Sequence, residues 1–283
     1  MRPDICALGL ALLLGCSGSE GVRGQGPGYL EVTFLDVGQA DAILIRTQEG
    51  QTALVDAGLS APLDALAARG VLALDVLVAS HPHADHIGGM AGIIEALPVR
   101  FYMDNGQPHT TATYRNLLRS IEECPAITYL AAEPRLLRLG SAEIQVLPLP
   151  PPGGTNLNNR SVPLIVRYGA FTLMLTGDSE VPELSYLLEH SLVPNVTVLK
   201  APHHGSDTGF TEDFLMAARP EIVVVSVGAN SLGHPGEAAM RAYAEIADTV
   251  YRTDVHGDVT IRGYADGHYE VQVSRGPLLR FGP

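Results

Sequence analysis

The sequence predicts an α/β fold in which two mixed β-sheets pack face to face and helices cover their outer sides. Three observations lead to this prediction. The chain opens with strand-forming segments, later strands alternate with helices, and this order occurs twice along the chain. Strands that alternate with helices favour parallel sheets covered by helices, and two rounds of this order give two sheets.

The first round begins with three segments rich in β-branched and aromatic residues, joined by glycine-containing turns. The continuously apolar stretch at 74–79 is typical of a strand buried on both faces. The helix before it has Pro62 at its start and Gly70 just past its end, the usual asymmetry of helix termini. In order, we predict strands 29–36, 42–46 and 52–55, helix 62–69, strand 74–79, helix 88–97, strand 99–103 and helix 113–123.

The second round repeats this order. It begins with a hairpin around Gly169, and its later strands are again short and apolar. In order, we predict strands 162–168 and 171–176, helix 181–190, strand 196–199, helix 212–218, strand 222–227, helix 236–247, strands 249–251 and 259–262, and a closing hairpin around Asp266 and Gly267.

The length and composition favour one large domain. A chain of 283 residues with 46% hydrophobic content can bury a sizeable core. The proline-rich run at 148–154 is too short for a flexible tether, so we interpret it as a rigid connection. We therefore expect a single domain at residues 29–283.

The first 28 residues indicate export. The apolar run at 5–14 has the length of a signal peptide and is too short to span a bilayer as a mature helix. The sequence LLGC at 13–16 resembles a bacterial lipobox, in which the cysteine, here Cys16, becomes the lipidated first residue. We expect a periplasmic or cell-surface protein with a lipid anchor, a flexible tether after the cysteine, and no transmembrane domain in the mature chain.

The charge balance argues against a strongly basic surface. The formal net charge is −13, and Lys200 is the single lysine. Neutralising phosphates with basic residues drives nonspecific binding to polyanions, so a tight DNA-binding surface is not expected.

The run His81-Pro82-His83-Ala84-Asp85-His86 is the main functional motif, with three imidazoles and one carboxylate just after an apolar strand. These donors suit zinc, manganese and iron. Alternate residues leaving the strand direct His81 and His83 toward one metal, and the following turn directs Asp85 and His86 toward a second. The motif predicts a two-metal site, in which the ions of hydrolytic enzymes lie about 3.5 to 4 Å apart.

Together with further motifs, this run resembles the metallo-β-lactamase superfamily of hydrolases, most closely the hydrolase domain of the DNA-internalisation protein ComEC. The resemblance covers about residues 30 to 262. Its segments are FLDVGQADA (34–42), LVDAG (54–58), SHPHADHIGG (80–89), NNRS (158–161), LTGD (175–178), KAPHHGS (200–206), SVG (226–228), GHP (233–235) and YRTD (251–254).

The resemblance implies the αββα four-layer sandwich and a role for each matching residue. Asp56 orients a metal-binding histidine, and Asp178 bridges two divalent cations, zinc or manganese. Typical members have a further histidine between the first motif and the bridging aspartate. Asn158, Asn159 and Ser161 occupy that region here, as in ComEC-like domains, and the loop position of His109 does not fit the missing ligand. The first metal set is therefore His81, His83 and Asp178, and the second is Asp85, His86, Asp178 and one histidine of the next pair.

The pair His203-His204 needs to supply only one ligand. Adjacent residues of an extended chain point in opposite directions, so we expect His204 to bind metal and His203 to lie near the substrate. His234 either donates a proton or binds a phosphoryl oxygen, or else is a turn residue that caps the helix at 236–247. Ser206 is expected to bring its hydroxyl toward an anionic group.

Three other early residues, Asp36, Gln39 and Asp41, have either a structural or a functional role. His190, His256 and His268 are expected at the surface, with no role assigned.

These residues predict a metallo-hydrolase in which hydroxide held between two metals attacks a phosphorus or carbonyl centre. Asp85, His203 and His234 are the expected catalytic residues, with Asp85 also a ligand. The resemblance implies a phosphodiester substrate such as nucleic acid, hence a nuclease or phosphodiesterase. The alternatives are an esterase or lactonase of the same fold, or a noncatalytic accessory subunit of a DNA-uptake system.

Overall fold

The computed structural model describes residues 28–276; the expected signal peptide, Cys16 and most of the tether lie outside this range. Its first half forms six strands and four helices. The strands are β1 (Tyr29–Phe34), β2 (Ile43–Thr47), β3 (Thr52–Val55), β4 (Leu74–Val78), β5 (Val99–Asp104) and β6 (Thr128–Ala131). The helices are α1 (Leu63–Ala67), α2 (Ala84–Ile87), α3 (Met90–Ala96) and α4 (Ala112–Glu122).

The second half repeats this pattern and then returns to the first sheet. Its strands are β7 (Arg135–Leu139), β8 (Ala142–Val146), β9 (Leu164–Tyr168), β10 (Phe171–Leu175), β11 (Val198–Lys200), β12 (Ile222–Val225), β13 (Thr249–Arg252), β14 (Val259–Tyr264) and β15 (Tyr269–Val273). Its helices are α5 (Val181–Glu189), α6 (Glu212–Ala218), α7 (Glu237–Ile246) and α8 (Thr253–His256).

Both sheets are mixed, as the sequence predicts. The eight-stranded sheet has the order β15-β14-β1-β2-β3-β4-β5-β6, and the seven-stranded sheet has the order β13-β12-β11-β10-β9-β8-β7. In the first, the neighbours from β15 to β3 are antiparallel and those from β3 to β6 are parallel. In the second, β7 to β10 are antiparallel and β10 to β13 are parallel. Each round of the chain therefore builds most of one sheet, and β14 and β15 from the end of the second round join the first sheet.

Three buried clusters define four layers. The central cluster takes alternate side chains from both sheets, including Val32, Phe34 and Leu173. A second cluster joins the other face of the first sheet to α1, α3 and α4. A third joins the other face of the second sheet to α5, α6 and α7. Because strand side chains alternate between faces, each sheet packs against its partner on one side and against helices on the other. This is the predicted αββα sandwich.

The strands β6, β7 and β8 are missing from the sequence prediction. They are four or five residues long, and β7 reads Arg-Leu-Leu-Arg-Leu, so charged residues interrupt its apolar pattern. Strand β8 alternates strictly between buried and partly exposed residues, and this period-two signal could have identified it. The helix predicted at 88–97 begins at Met90, and Asp85 and His86 lie on the separate helix α2 rather than on a turn.

The parallel halves of the two sheets position the candidate site. Five strands end at one edge of the sandwich, namely β3, β4, β10, β11 and β12. The loops that follow them carry the predicted residues. A rigid sheet with functional loops at one edge is a common arrangement for binding sites. Between residues 28 and 276, no helix combines the length and apolarity that crossing a bilayer requires.

Candidate metal centre

Four side chains from three loops meet at this edge. Asp85 and His86 lie on α2, Asp178 follows β10, and His204 follows β11. One ligand atom of each lies within 4.8 Å of the others. Asp178 Oδ2 is 3.1 Å from His86 Nε2 and 3.4 Å from His204 Nε2. Asp85 Oδ2 is 3.3 Å from His204 Nε2, so the four groups face a common point.

Both imidazoles of this four-residue group present the nitrogen that a cation needs. The Nδ1 atom of His204 lies 2.9 Å from the carbonyl oxygen of Ser226, and that of His86 lies 2.8 Å from Asp56 Oδ2. A carbonyl and a carboxylate only accept, so each Nδ1 carries a hydrogen and each neutral ring leaves Nε2 as an acceptor. Both Nε2 atoms are buried without a hydrogen-bond partner. Buried polar atoms normally have one.

The charges of the group also fit a cation. Burial lowers the pKa of His204, but Asp178 and Asp41 outweigh burial and raise this pKa to about 10. Burial also lowers the pKa of His86, yet Asp178 and Asp56 bring it well above its usual value. The site draws protons onto two imidazoles because it has an excess of negative charge. A divalent cation can replace those protons, since metal binding and protonation compete for the same nitrogens.

A second pair of imidazoles lies beside this group. His81 Nε2 is 2.9 Å from His83 Nδ1 and 3.9 Å from Asp178 Oδ2. Burial lowers the pKa of both histidines, and nearby His86 lowers it further. Their facing nitrogens could hold a second cation next to Asp178. Among the residues that the structure describes, His81 and His83 do not belong to the tightly convergent group of four.

His109, which the sequence analysis discounted, lies near this second pair. Its ring centroid is 5.9 Å from that of His83, with the rings edge to face. The loop between β5 and α4 brings it there, and the side chain of Asn105 donates to the carbonyl oxygen of Arg160 at 2.6 Å, which ties this loop to the neighbouring one. Nothing in the residues around His109 in the sequence indicated this approach.

Asp56 organises the base of the site. Its Oδ1 accepts from the backbone N–H of Ser80 at 2.8 Å, and its Oδ2 accepts from the Ser80 hydroxyl at 2.7 Å and from His86. The same hydroxyl lies 3.1 Å from His81 Nδ1. The sequence prediction that Asp56 orients a histidine agrees with this geometry, and Ser80 is an additional contact that it did not anticipate.

The two histidines of the pair take different positions, but not for the expected reason. The chain at this point is a 3-10 turn (Pro202–Gly205) with φ of 47° at His203 and 53° at His204, so it is not extended. His204 is buried within the group of four, whereas His203 lies at its rim. His203 Nε2 is 3.8 Å from Asp178 Oδ2, and its Nδ1 is 3.2 Å from Glu180 Oε1.

Glu180 was not singled out in the sequence. Its Oε1 accepts from the side chain of Asn158 at 3.0 Å and its Oε2 from that of Asn156 at 3.0 Å. The carboxylate is therefore fixed where it contacts His203. Its place two residues after Asp178 was the only signal available in the sequence.

His234 lies over the same rim. Its ring centroid is 5.0 Å from that of His203 and 6.3 Å from that of His204. Asn230 binds both the N–H and the carbonyl of His234, at 3.1 and 2.7 Å, and the Gln39 amide lies 3.4 Å from His234 Nδ1. The loop is thus held with this imidazole over the site. Of the three early residues with open roles, Gln39 contacts the site, while Asp36 pairs with Arg275 away from it.

The other predicted polar residues are Ser161, Asn159 and Ser206, and they differ in how closely they approach the candidate metal ligands. The hydroxyl of Ser161 accepts from the N–H of Asp178 at 3.1 Å and lies 3.4 Å from His81 Nδ1, so Ser161 supports the site. Asn159 accepts from backbone N–H groups at the start of α5, at 3.3 and 3.4 Å. The hydroxyl of Ser206 lies 3.0 Å from that of Thr208 within its own loop, and its approach to an anionic group stays a prediction.

A buried ion pair lies under the site. Lys200 ends β11, and its ammonium contacts the carboxylate of Asp41 while donating to the carbonyl oxygen of Gly177 at 2.9 Å. Burial lowers the pKa of Lys200, but Asp41 and Asp178 outweigh burial, and the net pKa is raised. Asp41, whose role the sequence left open, is fully buried, and its carboxylate pairs with Lys200 beneath the site.

The fold and these residues define a metallo-β-lactamase-type site, and comparison with known families agrees. The family model described as "Metallo-beta-lactamase superfamily" matches residues 35–229, and the chain belongs to this superfamily.

The chain is also similar to curated relatives and to a solved structure. It is 27% identical over 279 residues to "ComE operon protein 3" of Bacillus subtilis, with 89% of this chain and 34% of that protein covered. It is 30% identical over 237 residues to "Competence protein ComA" of Neisseria gonorrhoeae, with 80% and 31% covered. The chain therefore spans about a third of the length of these relatives. The metallo-β-lactamase fold protein YhfI from Bacillus subtilis shares the fold at 15% identity and a TM-score of 0.55, with 83% of this chain and 100% of that chain covered.

Proposed function

We propose that the chain is a metal-dependent phosphodiesterase or nuclease related to the hydrolase domain of ComEC. One observation carries the proposal: ligand atoms of Asp85, His86, Asp178 and His204 lie within 4.8 Å of one another, and the two imidazole Nε2 atoms among them are buried without partners. Such an arrangement is costly for a fold to maintain unless a cation completes it.

The residues that would hold two divalent cations, zinc or manganese, divide into two sets around Asp178. Asp85, His86 and His204 form one set with Asp178, and His81 and His83 form the other. When bound, the cations would lower the pKa of a water molecule and polarise the scissile bond. Asp56 and Ser226 hold Nδ1–H of the two imidazoles in the first set, so that their Nε2 lone pairs remain available.

The rim residues have the positions needed to contact a substrate. His203 and His234 lie edge to face at the rim, with Glu180 Oε1 3.2 Å from His203 Nδ1 and the Gln39 amide 3.4 Å from His234 Nδ1. Each imidazole can bind a phosphoryl oxygen or deliver a proton to a leaving oxygen, help worth about a hundredfold or more.

Support for a phosphodiester substrate comes from relatives and not from surface charge. One of them is named as a competence protein, and the motif resemblance is to a domain of a DNA-internalisation protein. The net charge of −13 opposes binding of long polyanions through the surface at large. Recognition would then rest on the site itself, with bound cations offsetting its carboxylates.

The test is metal analysis followed by hydrolysis assays on the purified chain. With manganese or zinc added, we expect cleavage of bis-p-nitrophenyl phosphate or of DNA, and little turnover of lactones. Asp85→Ala removes one ligand of a cation that would activate water and stabilise developing charge, and it is expected to reduce turnover at least about a hundredfold. Glu245→Ala, at an exposed position of α7, is the matched control and should keep full activity.

Other outcomes point to the alternatives. Faster turnover of lactones or carboxylic esters than of phosphodiesters would favour an esterase of the same fold. Two bound metals with no hydrolysis of either class would favour an accessory subunit of a DNA-uptake system.

We also propose that the chain is exported and lipid-anchored through Cys16. This rests on the apolar run and lipobox-like sequence, which precede the described residues. Fractionation of cells that produce the chain tests it. The wild type should be found with membranes, and Cys16→Ser should release it to the soluble fraction.

A further inference from the structure

Lys200 lies beside Asp178, the residue proposed to bridge the two cations. Lys200 is the only lysine of the chain, and its side chain is 1% exposed. Removing an ammonium from water costs several kcal/mol unless charges and hydrogen bonds around it compensate. Here the compensation comes from Asp41, from the carbonyl oxygen of Gly177 at 2.9 Å, and from Asp178, whose Oδ1 is 3.7 Å from Nζ.

The two oxygens of Asp178 face different partners. Oδ2 faces the imidazoles, with His86 Nε2 at 3.1 Å and His204 Nε2 at 3.4 Å. Oδ1 is buried and has no hydrogen-bond partner, and the ammonium of Lys200 is the cation on its side. The carboxylate is therefore divided between a metal-facing oxygen and a lysine-facing oxygen.

The lysine also reaches the turn that carries Asp178. Gly177 has φ of 54°, and a side chain there would lie 2.8 Å from Ser80 Cβ, so this turn is tightly enclosed. The hydrogen bond from Lys200 to the Gly177 carbonyl fixes the turn from below. The ammonium thus acts on both the backbone and the side chain of the same short segment.

The carboxylate of Asp41 is a buried negative charge that the ammonium of Lys200 compensates. It lies behind the two metal-facing imidazoles, with Oδ1 3.5 Å from His204 Nδ1 and Oδ2 3.7 Å from His86 Nδ1. Those Nδ1 atoms already bond to other acceptors, so Asp41 depends on Lys200 for compensation. The ammonium therefore supplies the positive charge that this deeper carboxylate needs.

We propose that Lys200 is a positioning residue that holds Asp178 so that Oδ2 alone is offered to both cations. This rests on the proposed two-metal function. Without the ammonium, Oδ1 becomes available, and Asp178 can bind a single cation through both oxygens. The pair of cations then loses the oxygen that joins it, while the outer ligands remain in place.

The test distinguishes a role of Lys200 in positioning Asp178 from a role in compensating the buried charge of Asp41. Lys200→Met alone leaves Asp41 buried without its cation and destabilises the fold. The double variant Asp41→Asn/Lys200→Met replaces the ion pair with neutral groups and is therefore the informative protein. Asp41→Asn/Lys200→Gln, which keeps a donor for the Gly177 carbonyl, is a second neutral version. Asp41→Asn alone, in which the lysine stays beside Asp178, is the matched control.

The readouts are manganese stoichiometry, binding affinity and the EPR signal of an exchange-coupled manganese pair, with thermal unfolding in chelator to verify folding. Wild type and Asp41→Asn should bind two coupled ions. Both neutral double variants should bind the second ion at least about tenfold more weakly, as for other residues that support metal ligands, and lose the coupled signal.

A double variant that keeps the coupled pair at wild-type affinity would overturn the proposal, and so would an equal loss in Asp41→Asn alone. Failure of the wild type to bind two ions would instead overturn the proposed two-metal function on which this role rests.

Discussion

The Nδ1 atom of His86 lies 2.8 Å from Asp56 Oδ2, and this contact sets which nitrogen His86 offers to the site. Both Asp56 and His86 are buried, so water cannot substitute for either partner. The Ser80 N–H and hydroxyl bond to the same carboxylate at 2.8 and 2.7 Å and fix its orientation. A change at Asp56 is therefore transmitted to the metal-facing side of the imidazole.

Asp56→Asn is expected to weaken metal binding by about 10- to 100-fold. The Ser80 N–H keeps the amide oxygen on its side, so the NH₂ group faces His86. That donor pushes the proton of His86 to Nε2, where it blocks a cation. Asparagine tolerates the φ of 59° at position 56, so backbone strain does not account for the loss.

Equilibrium metal titration measures this effect, with exposed Asp64→Asn as the control that should bind as the wild type does. Unchanged affinity in Asp56→Asn would show that the contact does not govern the tautomer.

Gly177→Ala is expected to destabilise the chain by about 2 to 5 kcal/mol, because two costs add. The φ of 54° disfavours any side chain by about 1 to 2 kcal/mol, and an added Cβ would lie 2.8 Å from Ser80 Cβ and 2.9 Å from Ser161 Cβ. Gly106→Ala separates the two costs, since φ is 68° there and no atom lies within 4 Å of an added Cβ.

Denaturant unfolding of both variants in chelator measures the difference. Gly106→Ala should lose only about 1 to 2 kcal/mol. Equal losses in the two variants would mean that the close approach to Ser80 and Ser161 costs nothing.

The sequence predicts which residues form the site better than it predicts the backbone conformation at those residues. The His-rich motif, Asp178 and the His pair could be placed together because parallel strands end at one edge, and the strands before them are strongly apolar. The turn at His203 and His204 could not be read from the sequence, since its positive φ values arise where the chain turns tightly after β11. The prediction that an extended chain separates the two rings was wrong, because the backbone turns at these two residues.

Contacts between distant segments were also beyond sequence reasoning. Lys200 pairs with Asp41 across the two sheets, and Glu180 meets His203 only because α5 begins beside the His pair. Neither pairing has a spacing that a local pattern can show. Strands β6 to β8 were missed for another reason, because they are short and carry charges that weaken the apolar signal.

Glu183 is expected to make stability depend on pH between about 4.5 and 8. Burial raises the pKa of Glu183 from 4.5 to about 8, although its Oε2 accepts from the Ser179 hydroxyl and the Ser161 N–H. A folded pKa above the unfolded value means that the folded state holds the proton more tightly. The stabilisation is thus complete below pH 4.5 and is lost as the pH rises through 8.

Glu183→Gln resembles the protonated acid and removes this dependence. Between pH 5 and pH 8, the wild type should lose stability relative to Glu183→Gln by roughly 1 kcal/mol per pH unit. Denaturant unfolding in chelator at several pH values measures it, with exposed Glu189→Gln on the same helix as the control. A difference between wild type and Glu183→Gln that stays constant with pH would mean that Glu183 is ionised in the folded protein.

Alanine substitutions at His203 and His204 are expected to separate metal binding from turnover. His204 is buried in the group of four, so His204→Ala should lose one bound metal per chain and nearly all activity. His203 lies at the rim with Nε2 3.8 Å from Asp178 Oδ2, so His203→Ala should keep both metals and lose about a hundredfold in kcat.

The φ values are 47° and 53°, so alanine has a similar backbone cost at both positions and each variant is a control for the other. Metal analysis beside phosphodiester kinetics measures both quantities, and loss of metal from His203→Ala with retention in His204→Ala would reverse the assignment.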